Sequence, residues 1–317
     1  MVNFASAAFI FPGQGSQAIG MGQDIAAAYP IAKDTFAEAD DIIGYKLSQL
    51  MFDGPEEQLN ETQNTQPAMY VCSVAILRIL QAERPGVLPA YTAGHSLGEF
   101  TALTAAEALS FADGVQLVKE RGRLMQQAGE KNPGGMAALL GIRIEDALQL
   151  CADMGAKSGK VLVIANDNCP GQIVISGDND ALDLAVEQAG HYGARRIVRL
   201  PVSVATHSPL MQPAKEVFTQ LVKDTEFQTP KIPVYANASA KALTTIESIR
   251  EELETQLTST VRWRESVQAM IEAGADTFIE MGSRDVLTGL LRRIDRSKSG
   301  MALNNLETLQ SFIEANK

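Results

Sequence analysis

The chain has 317 residues, 45% hydrophobic and 21% charged, enough for a large core in one big domain or two smaller ones. Its net charge of −11 argues against general nucleic-acid binding, and no apolar run approaches the ~18 residues of a membrane span. Three cysteines without metal-like spacing (Cys72, Cys151, Cys169) and a start lacking a basic n-region point to a cytoplasmic protein without a signal peptide.

Residues 7–11 are a short apolar run that reads as a buried strand, broken by Pro12-Gly-Gln-Gly-Ser-Gln17. This loop lacks the G-x-x-x-x-G-K-[ST] pattern of a P-loop, but its glycines allow backbone N–H groups close to a ligand. Helical patterns run to about residue 50. A polar stretch follows, then a predicted helix over 68–80 with Pro67 in its first turn.

Gly94-His-Ser-Leu-Gly98 fits G-x-S-x-G, in which a strand turns sharply into a helix and leaves a strained serine, here Ser96, exposed at the bend. Leu97, Phe100, Leu103, Ala106 and Leu109 recur at three-residue steps and predict the helix such an elbow needs. Ser110-Phe-Ala-Asp113 has the form of a capping box opening the next helix. That helix carries Leu117, Val118, Leu124 and Met125 on one face, and Arg121 completes the same apolar stripe. Arg123 points away from it. A guanidinium on an inward face needs an anion. An internal salt bridge and a substrate carboxylate held in bidentate fashion satisfy that need equally.

From Gly134 the pattern changes to strand 136–140, helix 144–154, strands 161–165 and 172–176, helix 181–189 and strand 194–201. The order β-α-β-β-α-β is the ferredoxin-like unit, read as an insertion at 133–202 in a larger α/β body formed by 1–132 and 203–317. The body resumes at His207, with Ser208 as N-cap and Pro209 as first residue of a helix whose dipole favours a neutral imidazole. A strand over 232–236, helices ending near 257 and spanning 263–273, a strand over 277–280 and a final helical region complete the chain.

An elbow serine needs a base, and the chain has three histidines. His95 adjoins Ser96 and should diverge from it, and His191 lies in a turn. His207 follows the serine in the order used by α/β hydrolases, which makes it the candidate base. No acid stands out as a third member.

Together these residues resemble a known family, malonyl-CoA:acyl carrier protein transacylase and the acyltransferases of polyketide synthases. The likeness covers essentially the whole chain. It rests on Phe11-Pro-Gly-Gln-Gly-Ser-Gln17, Thr65-Gln-Pro67, Gly94-His-Ser-Leu-Gly-Glu99, Arg121-Gly, Asn166-x-Asn-x-Pro-Gly-Gln172, His207-Ser and Gln256-Leu-x-x-x-Val-x-Trp263. The resemblance implies an α/β-hydrolase-like large subdomain with an inserted ferredoxin-like (βαββαβ) small one. It implies that Ser96 forms a malonyl-serine intermediate with His207 as base, and that the backbone carbonyl of Gln256 orients the histidine. Backbone N–H groups of Leu97 and Gln14 form the oxyanion hole, and Arg121 holds the malonyl carboxylate. CoA enters as a thioester substrate rather than a resident cofactor, and phosphopantetheine is carried by the partner, an acyl carrier protein. A monomer is implied, without nucleic-acid, membrane or metal partners.

Two segments depart from the family pattern: Gly282-Ser-Arg-Asp-Val-Leu-Thr-Gly289, and Val204-Ala-Thr-His207 at the base. Leu97 favours malonyl. Gly44-Tyr-Lys-Leu47, residues 62–70 and Gly98-Glu-Phe100 look more like discrete acyltransferases serving polyketide synthases in trans. The alternative activity is an acyl hydrolase on the same fold, which has no use for a buried cation at 121. A non-catalytic scaffold would not need Ser96, His207 and Arg121 together.

Overall fold

In the computed structural model, which describes residues 1–317, the apolar run Ala7–Phe11 is strand β1, buried at every position. A strand that is apolar throughout needs cover on both faces, as in a parallel sheet flanked by helices. Strand β2 (Tyr91–Gly94) lies parallel beside it, with Phe11 opposite Gly94. The chain then leaves this sheet to form β3 (Gly134–Leu140), β4 (Leu162–Cys169), β5 (Gln172–Asp178) and β6 (Arg196–Arg199). It returns with β7 (Val234–Tyr235), β8 (Ala242–Leu243), β9 (Thr277–Met281) and β10 (Ser299–Leu303). The large sheet has the order β10-β9-β1-β2-β7-β8 and is parallel except for the β7–β8 pair.

The small sheet has the order β4-β5-β3-β6 with every pair antiparallel. The helices Ile144–Ser158 and Asn179–Gln188 close over it and share a separate core built on Leu139, Leu150, Ile175 and Leu182. The βαββαβ order expected from the sequence is observed, set into an α/β body. The two parts are tied at one edge, where Asp167 N donates to Val261 O at 2.9 Å and Val261 N to Ala165 O at 2.8 Å. Arg264 reinforces this seam through Asp167 Oδ2 at 2.7 Å.

Several elements differ from expectation. The helix read over 68–80 spans Thr62–Glu83, so Pro67 lies inside it rather than in its first turn. Its early turns carry Thr62, Asn64, Thr65 and Gln66, all buried and polar, and an apolar period cannot register them. The elbow helix stops at Ala105; Leu109 is buried in the connection that follows, so its three-residue spacing is coincidental to the helix. Strands β8 and β10 have no counterpart among the expected elements, because both are short edge strands that carry little apolar signal.

Candidate active site

Ser96 stands between β2 and the helix Gly98–Ala105 with φ of 51°, a left-handed conformation that a side-chain-bearing residue adopts only when its surroundings enforce it. The flanking glycines supply the space. A Cβ on Gly94 would stand 1.9 Å from the Gly98 carbonyl, and one on Gly98 would stand 2.1 Å from Phe11 O. Asn237, in the loop after β7, clamps the bend. Its Oδ1 accepts the Ser96 N–H at 2.7 Å, and its Nδ2 donates to Gly94 O at 2.8 Å.

His207 Nε2 lies 2.8 Å from Ser96 Oγ. On the other side of the ring, Nδ1 faces the carbonyls of Gln256 at 3.0 Å and Ser259 at 3.1 Å. Two carbonyls can only accept, so Nδ1 carries the proton and Nε2 is left to accept from the serine. Burial, and after it the Arg121 charge, pushes the imidazole down to about 3, which keeps it neutral. The helix dipole invoked from the sequence is not the cause. Pro209–Met211 is a single 3-10 turn, and the α-helix begins only at Gln212. The missing acid is accounted for by main-chain carbonyls.

Arg121 is fully buried on the helix Phe111–Lys131, whose Ser110 cap accepts from Asp113 N as the sequence predicts. All of its hydrogen-bond partners are neutral. One terminal nitrogen, NH2, donates to Ser96 Oγ at 3.1 Å and Gln256 Oε1 at 2.8 Å; the other donates to Gln66 Oε1 and Met125 Sδ. Its Nε has no partner. Of the two possibilities left open by the helical pattern, the internal salt bridge is not formed. Burial lowers its pKa to about 10, still far above neutrality.

The loop after β1 presses on the elbow so closely that a Cβ on Gly13 would meet His95 O at 2.4 Å. The N–H groups of Gln14 and Leu97 donate to no protein acceptor. The Gln14 side chain accepts from Gln66 at 3.2 Å. His95 turns away, with Nε2 2.8 Å from Asn168 Oδ1 and its ring against Trp263. His191 is exposed on its turn.

Of the residues singled out in the sequence, the structure brings Ser96, His207, Gln256 and Arg121 into hydrogen-bond contact, with Leu97 adjoining Ser96 and Gln14 joined to the group through Gln66. Sequence reasoning missed Asn237, Ser259 and Gln66. Gln66 sits inside the Thr65-Gln-Pro67 motif, whereas Asn237 and Ser259 lie in loops with no local signal.

A strained serine on a strand-to-helix bend, hydrogen-bonded to a neutral histidine, is an arrangement that can carry out acyl transfer. Residues 8–308 match the family model described as acyl transferase domain, and the chain belongs to that family. Among curated relatives, malonyl CoA-acyl carrier protein transacylase of Bacillus subtilis is 43% identical, covering 98% of this chain and 97% of its own. The solved structure of an acyl carrier protein S-malonyltransferase from Vibrio cholerae is 44% identical, with a TM-score of 0.92 over 97% of this chain and 99% of its own. A malonyl-transacylase solved in complex with a type II PKS acyl-carrier protein is 40% identical, with a TM-score of 0.94 over 98% of this chain and the whole of its own.

Proposed function

We propose that this protein transfers a malonyl group from malonyl-CoA to the phosphopantetheine thiol of an acyl carrier protein, supplying extender units for fatty acid or polyketide synthesis. The observation that carries this reading is the fully buried Arg121, which has only neutral partners and stands 3.1 Å from the nucleophile. A buried cation there with no anion in direct contact calls for an acyl group bearing a carboxylate.

In the first half-reaction Ser96 Oγ attacks the thioester carbonyl while its proton passes to His207 Nε2. The oxyanion sits against the N–H groups of Leu97 and Gln14. Collapse breaks the C–S bond, and the leaving sulfur takes the proton from His207. In the second half-reaction the carrier's thiol attacks the malonyl-serine ester, giving its proton to His207 and thence to Ser96 Oγ. A malonyl carboxylate on Arg121 also removes one cause of the low His207 basicity, so the correct substrate improves the base. The thioester is already activated, and the scheme needs no resident cofactor.

The division into 1–132 with 203–317 and 133–202 leaves a groove of about 480 Å³ between the parts, lined by Ile164, His207, Pro209, Ser259 and Arg262. It suits a phosphopantetheine arm. A cytoplasmic monomer accords with this role.

The test is intact-protein mass spectrometry after brief mixing with malonyl-CoA or acetyl-CoA. Wild type should hold a malonyl adduct until carrier protein is added, and Ser96→Ala should form none. Arg121→Ala should lose malonyl adduct and gain acetyl adduct, because the pocket no longer pairs a carboxylate. Free CoA without any adduct in wild type would point to a hydrolase instead.

A further inference from the structure

Beneath the elbow lies a carboxyl group that the reaction scheme does not use. Glu99 is fully buried in the first turn of the helix Gly98–Ala105. Its Oε1 accepts the Asn237 N–H at 2.9 Å, and its Oε2 accepts Nε2 of Gln256. The same Nε2 also donates to Ser96 O at 3.1 Å, while Gln256 Oε1 accepts from Arg121.

Donor and acceptor accounting leaves this chain one arrangement. A guanidinium only donates, so the Gln256 oxygen must face Arg121 and its nitrogen must face Ser96 O and Glu99. The Asn237 N–H is also only a donor. Both oxygens of Glu99 therefore meet donors, which favours the ionised form. Burial, and then the nearby Glu252, raises this carboxyl above its ordinary range, and the bonds from Asn237 and Gln256 oppose that rise. Glu252 is engaged elsewhere, by Ala238 N and Ser239. Glu99 in turn favours the charged form of Arg121.

Given the malonyl-transfer reading above, we propose that Glu99 is a positioning residue for substrate selection, holding the Gln256 amide and through it the Arg121 guanidinium in the orientation that receives a carboxylate. A carboxylate in direct contact with Arg121 would compete with the substrate. One amide away, it compensates the buried charge and fixes the cation while committing none of the guanidinium N–H groups to an anion.

Glu99→Gln keeps the shape and tests the logic. The new amide oxygen must take the Asn237 N–H, which cannot turn, so the new NH2 faces Gln256. Gln256 then has to present its oxygen inward, which aims its own NH2 at Arg121. The experiment measures rates of malonyl-serine and acetyl-serine formation side by side in wild type, Glu99→Gln and Glu99→Asp, which keeps the charge but draws it back from the Gln256 amide. Losing a charged hydrogen bond implies a roughly tenfold or greater fall in the malonyl rate. The acetyl rate should stay within about threefold, since it makes no use of that bond.

An equal fall for both substrates would make Glu99 a structural support of the elbow and overturn the proposal, as would an unchanged ratio. A higher ratio would overturn it too, because removing the anion also strengthens the pull of Arg121 on a carboxylate and that effect would then dominate. If Glu99→Gln does not fold, the ratio in Glu99→Asp decides alone, a fall in malonyl over acetyl rate supporting the proposal and an unchanged ratio overturning it. Wild type without any malonyl adduct would instead overturn the malonyl reading itself.

Discussion

His207 is neutral because it is buried beside a cation, and the carbonyls of Gln256 and Ser259 decide which nitrogen keeps the proton. Nitrogen-15 spectra of labelled protein should therefore show its Nε2 unprotonated from pH 8 down to pH 6. Titration of this ring near the ordinary histidine value of ~6.5 would contradict the geometry. The sign for stability follows from a folded pKa below the unfolded one: the contribution is present above about 6.5 and is lost as pH falls from there toward about 3. The residues themselves were readable from G-x-S-x-G and from having only three histidines to choose among. The cause of the neutral ring was not, because burial and the nearness of Arg121 are properties of distant segments brought together.

At the scale of the element, the elbow works through two close approaches. The Gly94 and Gly98 positions lie against main chain, which cannot swing aside as a long side chain can. Gly98→Ala should destabilise the protein by at least the ~1–3 kcal/mol typical of overpacking. Urea unfolding measures this, and a loss under about 0.5 kcal/mol would show that β1 and the helix can separate without cost. Such glycines are legible in sequence because the motif requires them. The start of the helix Thr62–Glu83 was not legible, because its first turns bury polar side chains against the site instead of repeating an apolar stripe. Thr65 donates to Leu59 O at 2.6 Å, and Gln66 serves Arg121.

The whole molecule is an acidic protein with local basic edges. Arg292 and Arg293 end the helix Val286–Ile294, and Arg296 follows, all three exposed. Arg293 is already occupied, donating to Gln172 Oε1 at 2.7 Å and Pro170 O at 2.9 Å across to the small sheet. Arg292 and Arg296 are exposed without such partners, and an acidic carrier protein is expected to dock on them. Reversing both charges should raise KM for carrier protein several-fold and leave malonyl-serine formation unchanged, an effect that fades with added salt. Equal transfer rates at low salt would place docking elsewhere.

The sequence by itself determined the alternation of the body, the βαββαβ insertion, the elbow serine with the histidine that meets it, and the inward arginine, because each is written in local periodicity or in a short motif. Tertiary structure alone decided what those groups face. Whether Arg121 met an internal carboxylate depended on where Gln66 and Gln256 came to rest, and the clamp on the elbow came from Asn237. Glu99 became the anchor of the network because the loop after β7 and the end of the helix Ile246–Gln256 both deliver donors to it. Hydrogen-bond satisfaction of buried groups is settled by contacts between segments far apart in the chain, and no local pattern encodes them.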